Sequence, residues 1–176
     1  VQYLGHIVGS ERIDPSTAKI DAMQHLPVPT NRKALQRIIG TVGYYRKFVP
    51  HLSTIAAPLT DLNSPKVKFV WSQGCQDSFD KIKRVLINYP ILVPPDYNKP
   101  FLLYVDSSDV GSGASLMQKD SAGIEHPICY YSKKLLKYQK GYSTIEKEAL
   151  ALLNALQFYV SSSPFAIEVF TDHNPL

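Results

Sequence analysis

"FLLYVDSSDVGSGASLMQ", residues 101–118, runs strand-length apolar residues, Phe101 to Val105, directly into a carboxylate, Asp106. Small and polar residues then turn the chain before apolar residues resume at 114–117. A charge closing a buried strand is unfavourable by several kcal/mol, on the order of 3, unless a cation or hydrogen-bond donors meet it. The pattern recurs in the run Ile167 to Thr171, closed by Asp172. Two parallel, adjacent strands would carry both carboxylates to one rim of a sheet. Either aspartate alone is an ordinary turn former. The pair, in the acidic part of the chain, argues for a metal site.

A third acid comes from "STIEKEALALLNALQFYV", residues 143–160. Its apolar stripe reads as Ile145, Ala149, Leu152 and Leu156, with Glu146 and Glu148 on opposite shoulders, so periodicity does not choose between them. Ser143 and Glu146 fit a capping box, which gives Glu146 a structural task. Glu148 has no such task and is the better candidate for a metal. Three acids ionised side by side need divalent cations to cancel their repulsion, and hard oxygen ligands favour magnesium or manganese. Two such ions, roughly 3.5–4 Å apart, are the usual apparatus for cutting phosphodiesters.

The first half of the chain has a different grammar. Residues 1–13 predict a short hairpin, and Asp14-Pro15 predicts the cap and first position of a short helix containing Ile20 and Met23. Thr30 caps a predicted helix over 31–48 with Leu35, Ile38, Ile39, Val42 and Tyr45 at helical spacing. Pro50 and Pro58 bracket a third helix, and Ser72 caps a fourth with Phe79, Ile82, Val85 and Leu86 as its stripe. "NYPILVPPDYNKP", residues 88–100, has the composition of a linker. Strands at 101–105, 114–117 and 127–131, a helix at 144–160 and a strand at 166–171 follow. The fold class is α+β, with a hairpin and helical region at 1–95 and a mixed sheet with one main helix at 96–176.

The 176 residues are 44% hydrophobic and 19% charged. No apolar run approaches the roughly 18 residues of a membrane span, and the start lacks a signal-peptide pattern, so no membrane role and an intracellular location are expected. Cys75 and Cys129 read as small buried hydrophobes. Residues 1–95 carry 12 Lys and Arg against 6 Asp and Glu, whereas residues 96–176 carry 7 against 9. A basic module facing a polyanion, joined to one that uses carboxylates, fits this asymmetry.

In order along the chain, "YLGHIVG", "IIGTVGYYRKFVPHLSTIAAPLT", "FVWSQGCQDSFDKIK", "PILVPPD", "PFLLYVDSSDVGSGASLMQ", "HPICYYSKKL", "YSTIEKEALALLNAL" and "FTDHNPL" together resemble the reverse transcriptase-to-ribonuclease H segment of gypsy-type LTR retrotransposon Pol polyproteins. The resemblance implies that residues 1–13 are the last palm hairpin, with a primer grip at Tyr3, Gly5 and His6. It implies a thumb and connecting region up to about residue 95, then a ribonuclease H-like domain. The family's first three catalytic acids and metal ligands fall on Asp106, Glu148 and Asp172, with two Mg2+ ions, or Mn2+, as cofactors. The fourth acid and the polymerase aspartates have no counterpart in residues 1–176, so the isolated segment is expected to be inactive.

The resemblance also implies a template-primer or RNA:DNA hybrid as partner, beside the polymerase palm and integrase of the same polyprotein. Its places of work would be the cytoplasm, virus-like particles and the nucleus. Gly40 and Gly43 inside a helix are unfavourable by about 1 kcal/mol each relative to alanine, which asks for a reason. Gln36, Gly40 and Tyr44 share one helix face, similar to the thumb helix that tracks the minor groove. Arg32, Lys33, Arg37, Arg46 and Lys47 are expected to bind phosphates without sequence preference. His6, His51 and His126 read as structural rather than as ligands. Ser107 stands where relatives commonly carry alanine, a small change. A non-catalytic binding module, truncated or adopted by a host, is the alternative reading.

Overall fold

The computed structural model describes residues 2–3, 6–9, 12–15, 17–88, 90–160 and 166–172. Gly5 lies outside them, and the side chains of Tyr3 and His6 are likewise undescribed, so the primer-grip reading has no structural account. The protein is α+β. A small antiparallel sheet of β1 (Gln2–Tyr3), β2 (His6–Val8) and β3 (Ile13–Pro15) opens the chain. Asp14 and Pro15 therefore belong to a strand and do not start a helix. Asp14 pairs with Ile7 in register, is buried, and accepts from Arg12 Nε at 2.9 Å. Proline tolerates this end position because it removes no ladder bond that the strand end needs.

Five helices follow: α1 (Thr17–Gln24), α2 (Arg32–Tyr44), α3 (Leu52–Ile55), α4 (Ala57–Leu62) and α5 (Gln73–Ile87). Asn31 caps α2, not Thr30, because its side chain accepts the Ala34 N–H at 2.9 Å. The predicted single helix to residue 48 breaks after Tyr44 into a 3-10 turn, Arg46–Phe48. The tighter winding delivers Tyr45, Phe48 and Val49 to the same core. Pro58 sits in the first turn of α4, where its missing N–H loses nothing, so it begins a helix and does not close the third one. Ser72 caps α5 as the sequence suggests, and Phe79, Ile82 and Leu86 are buried.

The second part is a four-stranded sheet in the order β6-β5-β4-β7, formed by β4 (Phe101–Ser107), β5 (Gly111–Lys119), β6 (Glu125–Lys134) and β7 (Ile167–Thr171). β4 and β7 run parallel, and α6 (Thr144–Val160) is the crossover between β6 and β7. Phe101, Leu103 and Val105 of β4 pack with Ala114 and Leu116 of β5 against Ala151, Ala155 and Tyr159 of α6. Alternation turns Gly111 and Gly113 of β5 to the opposite face, where α3 and the 3-10 turn cover β5 and β6. Arg46 donates to the Ser132 carbonyl at 3.2 Å, Ser53 N–H to Ser132 Oγ at 3.0 Å, and Lys134 Nζ to Asp61 at 2.6 Å.

The segment read as a linker is fastened to both parts. Leu92 is buried in the helical core and its carbonyl accepts the Ile13 N–H at 2.7 Å. Val93 N–H donates to the Pro127 carbonyl at 2.9 Å, and buried Gln118 holds the Asp96 backbone through bonds of 2.8 and 2.9 Å. Prolines here fix an extended path, and the apolar residues between them supply the anchors. Among the described residues no helix is long and apolar enough to cross a membrane.

Candidate active site

The parallel pairing Val105 with Thr171 places Asp106 and Asp172 side by side at the C-terminal rim of the sheet. Glu148 approaches that rim from α6. One donor oxygen from each of the three acids lies within 4.8 Å of the others. Asp106 and Asp172 are exposed, whereas Glu148 is 4% exposed. Ser107, the last residue of β4, donates its hydroxyl to Glu148 Oε1, and Glu148 Oε2 is buried without a partner. A buried carboxylate oxygen with no donor is destabilising, and a cation at the rim would relieve it. The donor set therefore fits a hard divalent ion.

The helix register differs from the one predicted. The buried line of α6 is Glu148, Ala151, Ala155 and Tyr159, while Ile145 is 46% exposed and Ala149 is exposed; Leu152 and Leu156 are half-buried beside that line. Two alanines let the helix approach β4 closely and set the contact line. The bulky apolar residues lie to either side of it, so the average apolar direction misses the centre of contact. Glu146 is held as a capping box: Ser143 N–H and hydroxyl donate to Oε2 at 2.7 and 2.8 Å, which keep its carboxyl below the usual range.

Ser107 is more than a small departure. Ser107→Ala would leave neither oxygen of Glu148 with a partner in metal-free protein. A loss of about 1–3 kcal/mol in urea unfolding is expected, and Mn2+ should shrink the deficit. A loss below 0.5 kcal/mol, on the scale of an ordinary surface change, would remove the hydrogen bond from the account.

A residue read from sequence as structural stands at the same rim. His51 Nδ1 lies 3.8 Å from Asp106 Oδ2, although the two come from different halves of the chain. No local pattern signals this contact. His126 bonds Asp120 at 2.9 Å beside a turn, as a structural histidine would.

A sequence-family profile described as the RNase H-like domain found in reverse transcriptase matches residues 71–167. The chain belongs to this family. This chain is also 37% identical over its whole length to the retrovirus-related Pol polyprotein from transposon opus of Drosophila melanogaster, covering 19% of that protein. It is 34% identical over its whole length to the transposon Tf2-3 polyprotein of Schizosaccharomyces pombe, covering 13% of it. It thus spans a fifth or less of these relatives, as a piece of a gypsy-type LTR retrotransposon Pol protein. In fold it is similar to the foamy viral protease-reverse transcriptase solved with an RNA/DNA hybrid, with a TM-score of 0.84 at 23% identity over 98% of this chain and 24% of that one. The same viral protein solved with dsDNA gives a TM-score of 0.83 at 22% identity, over 99% of this chain and 37% of that one.

The chain carries a second candidate surface on α2, outside the matched residues 71–167. Lys33, Gln36, Arg37 and Gly40 are exposed along one face, continued by Tyr44 at 49% exposure. A Cβ built on Gly40 meets no atom within 4 Å, so no packing inside the protein requires glycine there. The other basic residues of this group make contacts within the protein, Arg46 while exposed and Arg32 and Lys47 while half-buried. Arg32 donates to the Val67 carbonyl at 2.5 Å, Arg46 holds Ser132, and Lys47 lies 5.2 Å over the Phe48 ring with its pKa lowered by burial. Carbonyls at turns and strand edges recruit donors such as Arg32 and Arg46, whereas Lys33 and Arg37 share the exposed face of α2 with Gln36 and Gly40.

Proposed function

We propose that this segment, within the complete ribonuclease H domain, cuts the RNA strand of an RNA:DNA hybrid, using two divalent ions held by Asp106, Glu148 and Asp172, with the exposed face of α2 laid along the duplex. The observation that carries the reading is the meeting of three carboxylates within 4.8 Å, one of them buried with an unpartnered oxygen. Bound Mg2+ or Mn2+ supplies an activated water and steadies the leaving oxygen. The chain's own part is to hold three ligands rigidly: two on the backbone of paired strands, and one on a packed helix with Ser107 fixing its rotamer. The foamy viral protein that shares this fold was solved bound to RNA/DNA hybrid and to dsDNA, which supports a duplex as substrate.

Titration with Mn2+ should raise the unfolding midpoint of the chain. Hybrid labelled on the RNA strand should be cut by the Pol polypeptide that carries this segment, in Mg2+ and not in EDTA. Cleavage that persists in EDTA, or a midpoint indifferent to Mn2+, would sink the metal reading. Equal binding of hybrid with no cleavage at any metal concentration would favour the binding-module alternative.

The α2 face gives an outcome of mixed sign. Gly40→Ala should stabilise the helix by about 1 kcal/mol, raising the midpoint by roughly 2–4 °C, because alanine loses less backbone entropy and meets open space. The same methyl group should weaken hybrid binding several-fold, read by fluorescence anisotropy. Unchanged affinity would remove Gly40 from the duplex interface.

A further inference from the structure

His51 is the one non-glycine residue with positive φ among the described residues, at φ 51 and ψ 30. A left-handed backbone at a bulky residue persists only where its surroundings fix it. Here they do. Phe48 and Val49 before it are 0% exposed, Leu52 after it is buried, and Ser53 N–H is bonded to Ser132 Oγ at 3.0 Å on β6. The ring lies on Gly113 so closely that a Cβ there would be 2.8 Å from His51 Nδ1. β5 thus leaves a side chain's space for this imidazole.

The ring lines the groove that also holds Asp106, Asp172 and Tyr104, and its side chain is 52% exposed. At 3.8 Å from Asp106 Oδ2, Nδ1 is beyond hydrogen-bond length, so the imidazole is not tethered to the carboxylate. Nδ1, Cε1 and Cγ are its atoms nearest to Gly113, which leaves Nε2 farther from the sheet.

We propose that His51 is a substrate-binding residue of the nuclease site, presenting an imidazole N–H to the sugar-phosphate backbone of the strand seated over Asp106. The helical half and the sheet half then build one composite site. This rests on the nuclease reading above and adds to it a specific contact with the nucleic-acid backbone.

The test is His51→Asn in the Pol polypeptide that carries this segment, because asparagine tolerates the left-handed backbone and removes the imidazole. KM for hybrid should rise about tenfold, as for one lost hydrogen bond to a charged group, with kcat within about twofold and an unchanged unfolding midpoint. His51→Gly should give the same rise and carries the test if the asparagine variant folds poorly. An unchanged KM in both variants overturns the role of His51 and leaves the nuclease reading standing. A fall in kcat at constant KM also overturns it, since the residue would then act through Asp106. Wild-type protein that cuts no hybrid overturns the nuclease reading and this inference together.

Discussion

Asp106→Asn is expected to lower Mg2+-dependent hybrid cleavage by about a thousandfold or more, because asparagine keeps the shape but loses the charge that shares a cation. The same change should act on stability in the opposite direction. Three carboxylates with oxygens within 4.8 Å repel one another in metal-free protein. Asp106 and Asp172 are exposed and screened by water, so the relief is modest, about 2–4 °C in the unfolding midpoint. Loss of cleavage with a raised metal-free midpoint separates a ligand role from misfolding. Full cleavage by the asparagine variant would remove Asp106 from the chemistry.

Phe48→Ala should destabilise the protein by about 3–5 kcal/mol, read as a shift in the urea unfolding midpoint. Phe48 is 0% exposed in the helical core, with the Tyr45 ring 6.3 Å away and Lys47 Nζ over its face at 5.2 Å. The cavity would open under the 3-10 turn that leads into Pro50 and His51, where α3 and β6 already fix the neighbouring backbone and leave little room for collapse. The loop should loosen with it, so KM for hybrid should rise alongside the loss of stability. A loss under about 1 kcal/mol would show that the turn repacks without it.

The elements most legible in the sequence are those whose signals are local. Ser72 with Phe79, Ile82 and Leu86 specifies α5, and Ser143 with Glu146 specifies the start of α6. Asp106 and Asp172 are also legible as rim residues, because each closes an apolar run of strand length and the repeated pattern says more than either turn-forming aspartate alone. The register of α6 was not, since alanines chose the contact line and periodicity follows bulk. Asp14-Pro15 carries a helix-start signal that strand pairing with β2 overrides. Residues 88–100 looked loose because composition reports backbone stiffness and not what Leu92 and Val93 touch. His51 was invisible as a site residue: its neighbours Gly113 and Asp106 lie more than fifty positions away in the chain.

The parallel ladder that joins Phe101 to Ile167 has a temporal side. β4, β5 and β6 form a meander of near neighbours, which closes with small entropic loss, whereas β7 can dock only after the whole intervening stretch, α6 included, has been ordered. Asp172 is therefore the last of the three carboxylates to join the cluster. In stopped-flow refolding, tyrosine signals from the meander should precede the acquisition of Mn2+ affinity.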